Sequence, residues 1–235
     1  ENEKVNNNDI FSREDEIMNR SLKNVMCLLA LVAITAPSFG VITGSKHDFA
    51  GGGSWTSASG EMCDVCHAPH NATNAGDGPL WDHATTGQTF TPYDSTASAT
   101  MNATVGQPKG VSKLCLSCHD GVTALDSFAG STGTTLIGTI NGGIANLGTD
   151  LSDSHPISFT YDSGLATADG SLHDPSATTS GVGTGNIDDD MLFGPGNDQL
   201  ECASCHDVHN SVAGVTHLLV KSNAGSALCL TCHNK

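Results

Sequence analysis

The chain has 235 residues and a formal net charge of −16 at pH 7, with 25 Asp and Glu against nine Lys and Arg. Nucleic acid and anionic lipid are held by clustered Lys and Arg, so this balance argues against both and leaves basic proteins, metal ions and ferric solids as partners. At 37% hydrophobic and 5% aromatic, with 27 Gly, the sequence is too polar and too small in its side chains to build a large core from itself.

Residues 1–17 are polar and precede Met18, a plausible start residue, so they read as an upstream extension. Residues 18–40 read as a secretory signal peptide. Arg20 and Lys23 form its basic end, Val25 to Ile34 is an apolar run too short to span a bilayer, and Ser38-Phe39-Gly40 predicts cleavage after Gly40. Cys27 lies inside the apolar run and leaves with it. No later segment is apolar enough to cross a membrane, so the sequence predicts one secreted domain over 41–235. It would be extracellular or at the cell surface, with the periplasm as the alternative.

Past residue 40 the chain is punctuated by one five-residue pattern, C-x-x-C-H. The copies are Cys63-Asp-Val-Cys66-His67, Cys115-Leu-Ser-Cys118-His119, Cys202-Ala-Ser-Cys205-His206 and Cys229-Leu-Thr-Cys232-His233. Between the second and third, residues 120–201 are rich in Gly, Thr, Ser and Asp, with turn signals throughout. Thr134 to Ile140 and Ile157 to Tyr161 are expected to be short strands. Short helices are expected around the motifs, such as Ala224 to His233, with coil elsewhere. Asp188-Asp189-Asp190 lacks the ligand spacing and turn glycine of a calcium loop and reads as a solvated acidic loop. Asn71-Ala-Thr73 and Asn102-Ala-Thr104 match the glycosylation sequon, a triplet common by chance.

C-x-x-C-H is the attachment pattern of c-type haem. The two thiols form thioethers to the porphyrin, and the following His becomes the proximal ligand of the iron. Four copies use eight of the nine cysteines: Cys63, Cys66, Cys115, Cys118, Cys202, Cys205, Cys229 and Cys232. A zinc site needs no His directly after each pair, and a redox C-x-x-C needs a βαβ context that is missing here. The cofactors are therefore four haems, and no other metal is predicted. The expected fold is a multihaem cytochrome c: mostly coil, with short helices and few short strands, haem-cored, with no large regular sheet or bundle.

Eleven His are present. His67, His119, His206 and His233 are proximal. The other seven more than suffice for a second imidazole on every iron, whereas only Met62, Met101 and Met191 follow the signal. Low-potential bis-His haems are thus favoured over His–Met haems. His70 and His209 each stand three residues after a proximal His, on the same side of a helical turn, and are placed to reach a neighbouring haem. His155 could serve the second or third haem. Either His47 or His83 should serve the first. His173 and His217 read as non-ligands, with His217 the better reserve.

The phrases Cys115-Leu-Ser-Cys118-His119-Asp120-Gly121, Asp153-Ser-His155-Pro156-Ile157-Ser158-Phe159 and Ser222-Asn-Ala-Gly-Ser-Ala-Leu-Cys229-Leu-Thr-Cys232-His233 resemble the secreted multihaem cytochromes of metal-reducing bacteria. More narrowly, residues 41–235 resemble the tetrahaem surface cytochromes of the OmcE type, which polymerise into conductive filaments. The resemblance implies one continuous stack of bis-His haems, alternating parallel and perpendicular, and little regular secondary structure. It also implies head-to-tail polymerisation, in which an early His of one subunit ligates a late haem of the next. By position His70 would be that ligand and the Cys229/Cys232/His233 haem its target.

The expected function is electron conduction without substrate chemistry, passing electrons from partner cytochromes to metal oxides or other external acceptors. A soluble periplasmic shuttle is the alternative. A reductase of a small oxyanion would need one five-coordinate haem, and the Lys-bearing motif variant that would support it does not occur.

Overall fold

Helix and strand are confined to short stretches, because Gly, Ser, Asp and Pro recur throughout the sequence and favour turns. The computed structural model describes residues 41–72, 78–212 and 214–234, which belong to one unit, Gly40–Lys235. The expected upstream extension and secretory signal, with Cys27, lie outside the described residues, as does Thr73 of the first sequon. Most described residues are coil or turn, with a few short helices and one two-stranded sheet.

Helix α1, Gly110–His119, carries the second motif and ends on its histidine. It buries Ser112, Leu114, Leu116 and Ser117, and it stops at Asp120, whose backbone N–H returns to the Leu116 carbonyl. Gly121 follows with φ +74°, the left-handed step that commonly closes a helix. Helix α2, Ser163–Asp169, starts where the Asp162 carboxylate accepts from the Leu165 N–H at 2.8 Å and ends at Gly170, φ +70°. Helix α3 is Ile187–Met191 and α4 is Cys229–Cys232, inside the fourth motif. Strands β1 (Phe159–Thr160) and β2 (Gln199–Leu200) pair antiparallel, with Phe159 opposite Leu200. A single 3₁₀ turn, Cys202–Ser204, opens the third motif directly after β2.

Three expectations need correction. Thr134 to Ile140 is not a strand, and Ile137–Thr139 is a 3₁₀ turn. The Asp126 carboxylate takes the N–H groups of Thr134 and Thr135 at 2.9 and 2.8 Å, so they are not free for a ladder. Ala224 to His233 is not one helix. A 3₁₀ turn at Ala224–Ser226 is cut from α4 by Gly225 and Ser226, both with positive φ. Asp188, Asp189 and Asp190 do not form a loop but the first turn of α3, where negative charge suits the helix N-terminus. Asp190 accepts from Gly183 N, Gly185 N and the Ser180 hydroxyl, and Asp189 from Asn186 N. Among the described residues no group of acidic, His and Cys side chains is arranged to hold a metal ion.

The protein has a modest core of its own, in the stretch that looked like unbroken turn. Phe159, Tyr161, Ala166, Ile187, Met191, Leu192, Leu200 and Leu228 form one buried cluster, and Phe90, Leu116 and Leu151 a second. Full burial of a side chain such as Ile187 or Leu116 contributes about 1.5–3 kcal/mol. These residues come from short elements that contribute one or two each, such as Ile187 and Met191 from α3 and Phe159 from β1, so no long period runs through the sequence.

Glu201 ties the elements that carry the second and third motifs. It is 2% exposed. Its carboxylate accepts from the Ser112 N–H of α1 at 3.3 Å and from the Ser158 hydroxyl at 2.8 Å, while its own N–H donates to Ser204 Oγ at 2.9 Å. Cys202 N in turn donates to Ser112 Oγ at 2.9 Å. Burial lifts the Glu201 carboxyl above its ordinary value, and the serine hydrogen bonds oppose only part of that. The folded chain therefore holds this proton more tightly than the unfolded one, so the stability it adds is greatest on the acid side and is lost as pH rises through the folded value. In thermal unfolding followed by circular dichroism, Glu201→Gln should flatten the fall in stability above about pH 4.5. Glu201→Ala should cost about 1–3 kcal/mol by stranding buried donors.

Candidate haem sites

Each motif folds as one helical turn. His67 N donates to Cys63 O at 2.9 Å, His206 N to Cys202 O at 3.0 Å and His233 N to Cys229 O at 3.0 Å, and the second motif makes its turn as the end of α1. Positions i, i+3 and i+4 of such a turn share a face, so both thiols and the imidazole point the same way. All eight motif cysteines are free thiols. Burial pushes Cys66 and Cys232 up to about 11 and raises Cys118 and Cys205 as well. A hydrogen bond between Cys115 and Cys202 raises Cys115. The same hydrogen bond lowers Cys202, and Cys63 and Cys229 are exposed; the buried thiols that are raised suit thioether formation with an apolar macrocycle.

The chain then folds back to brace each of the first three imidazoles. His67 Nδ1 lies 2.8 Å from Pro79 O, His119 Nδ1 2.7 Å from Ala145 O and His206 Nδ1 3.0 Å from His217 O. An imidazole that donates from Nδ1 carries no proton on Nε2, which becomes a lone-pair ligand. Two of the returning loops hold strained backbone at these points, with Leu80, His217 and Leu218 at φ +54°, +62° and +54°. His155 has the same preparation, with Nδ1 2.9 Å from Pro156 O. The fourth motif is held instead by Ser171–His173: His173 N donates to Cys232 O at 2.8 Å and Asn234 N to Ser171 O at 2.8 Å.

Exposed apolar side chains surround these turns. Ile144 and Leu147 flank the Ala145 carbonyl and, with Val122, follow His119; Leu80 adjoins Pro79; Val208 lies two residues past His206; and Leu230 sits inside the fourth motif. Ile144 is 88% exposed. Apolar surface clustered beside metal-ready imidazoles fits a porphyrin face.

The structure also brings second imidazoles to three of the four motifs. His47 stands opposite His119 with ring centroids 6.1 Å apart, His209 opposite His67 at 6.3 Å, and His155 opposite His233 at 6.4 Å. With each nitrogen about 2 Å from a shared metal and the centroid about 1 Å behind it, two trans imidazoles have centroids about 6 Å apart. Burial beside His119 pushes His47 down to about 4, and burial lowers His119 too, so both rings are neutral, as a metal requires. Nδ1 of His47 is buried without a hydrogen-bond partner, and a contact with the Val208 backbone opposes part of the burial effect on this ring.

These placements redistribute the candidates. His47 faces the second motif rather than the first, His209 faces the first, and His155 faces the fourth rather than the second or third. His83 is fully buried. Its Nδ1 lies 2.8 Å from Ala84 O and its Nε2 3.3 Å from Leu125 O, beside Cys118 Sγ at 3.6 Å, so both ring nitrogens face backbone carbonyls. His70 is exposed. Among the described residues no imidazole stands opposite His206. The bracing carbonyls of Pro79, Ala145 and His217 carried no sequence signal, because any residue supplies a carbonyl.

Residues 194–235 match a family model described as a doubled CXXCH motif. No curated protein matches the chain. The doubled motif indicates covalently bound c-type haem and points to a multihaem electron-transfer cytochrome, and the mostly coil fold is compatible with one. Among the described residues no helix is long and apolar enough to cross a membrane.

In the haem-loaded protein, His47→Ala, His209→Ala and His155→Ala should each add one equivalent of carbon monoxide uptake over the parent chain, read from the reduced spectrum. His83→Ala and His173→Ala should add none.

Proposed function

We propose that the chain is a secreted electron carrier with four covalently bound c-type haems. His67, His119, His206 and His233 are the proximal ligands, and His209, His47 and His155 complete the first, second and fourth irons. The observation that carries this reading is the trio of opposed imidazoles at 6.1–6.4 Å, each pairing a motif His with one distant in sequence. Six-coordinate bis-His irons leave no position for substrate and hold low potentials. The haems supply the redox change. The chain supplies the fixed imidazoles, the Nδ1 hydrogen bonds and the apolar cover.

The third iron decides the assembly. The resemblance named the His233 haem as the one an outside subunit completes, but His155 already faces His233. Among the described residues His206 is the motif histidine with no second ring opposite it, and His70 of a second copy is our candidate to supply one. His70 and His206 lie at different places on one chain, so such a contact is heterologous and propagates into a filament. The filament would deliver electrons from partner cytochromes to metal oxides or other acceptors outside the cell.

Mass spectrometry of the secreted product should show the polypeptide plus four haems; a bare polypeptide overturns the reading. Dilute monomer should take up one equivalent of carbon monoxide, at the His206 iron, and lose that uptake as thin, unbranched fibres appear by electron microscopy. Uptake that persists at all concentrations without fibres would favour a ligand-binding reductase. A monodisperse monomer with no uptake would favour a soluble shuttle.

A further inference from the structure

Cations are scarce in this chain. After residue 40 they are Lys46, Lys109, Lys113, Lys221 and Lys235 alone. Lys221 is held unlike a surface lysine. Its ammonium is partly buried and donates to Ser180 O at 2.7 Å and to Thr231 Oγ1 at 3.0 Å. Thr231 lies between the two cysteines of the fourth motif and is itself fixed by donating to Ala227 O at 3.0 Å. The other wall is the Ser180–Gly181 turn, locked by the Ser180 hydroxyl on Asp190. Gly181 has φ +65°, and a Cβ there would come within 2.9 Å of Nζ, so the glycine leaves room for the ammonium.

Both hydrogen-bond partners of Lys221 are neutral, and the Asp190 carboxylate is taken up by the hydroxyl of the same Ser180. Through Thr231 the ammonium is fixed beside the fourth motif.

We infer that Lys221 is a positioned cation beside the fourth motif, raising the reduction potential of the haem held there. The inference rests on the four-haem reading. Reduction adds one electron to the iron, and a fixed positive charge beside the site stabilises the reduced form.

Potentiometric titration of the haem-loaded full chain, followed by absorbance and electron paramagnetic resonance, tests it. His155→Met identifies the fourth haem, because a Met ligand raises its potential. Lys221→Met should shift that haem alone to a more negative potential, Lys221→Arg should restore it, and all three should retain four haems by mass. Thr231→Val, which keeps the charge but frees the ammonium, should shift the same haem by less in the same direction. Unchanged potentials in Lys221→Met with all four haems present would overturn the role of Lys221. If Lys221→Met does not assemble, an unshifted fourth haem in Thr231→Val would overturn it. A parent chain carrying no haem would instead overturn the electron-carrier reading beneath it.

Discussion

A metal with two trans imidazoles imposes one distance, about 6 Å between ring centres, and this fold is arranged to meet it repeatedly. The pairs join residues far apart in the chain: His47 with His119, His67 with His209, His155 with His233. Hydrogen bonds of similar reach join Ser112 to Glu201 and Cys202, and Val41 to Asn210. The sheet has two strands, and the apolar clusters are small. A chain with so little hydrophobic mass gains long-range order from ligation instead, on the proposed function. Nδ1 hydrogen bonds on His67, His119 and His155 fix the orientation and tautomer of one ring in each pair.

What could be read from the sequence divides along a physical line. The attachment turns were legible because C-x-x-C-H is local chemistry, contained in one helical turn. The low content of helix and strand was legible from the density of turn residues. The pairing of imidazoles was not, because it depends on where loops return: nothing near His47 signals that it lies against His119, and His155 gives no local sign that it faces the fourth motif. The Thr134 to Ile140 strand failed because a single Asp126 side chain captured the backbone donors. The acidic run at 188–190 failed because Asn186 begins a helix there and the acids cap and brace it. Glu201 carried no signal at all, although it joins α1, β1 and the third motif.

Charge is used sparingly and at chosen points. The excess of carboxylates is absorbed locally: Asp94, Asp126, Asp150, Asp174 and Asp190 all accept hydrogen bonds from nearby N–H or hydroxyl groups, which lower their carboxyls below the usual range. Acidic side chains thus serve as loop clamps, replacing the backbone pairing that a sheet would provide. Against that background one lysine is set between two neutral partners, Ser180 O and Thr231 Oγ1, beside the fourth motif.

The turn from His206 to His209 has a mechanical consequence. Its two imidazoles belong to different sites, His206 to the third motif and His209 opposite His67 of the first. Asp207 stiffens the span, accepting from His209 N at 3.0 Å and from Ser211 N at 2.6 Å. On the proposed ligation, two redox centres share a leash of four residues. Thermal breathing that would part them must first break this brace, so the gap an electron tunnels across is clamped by backbone rather than left to the softer packing around it.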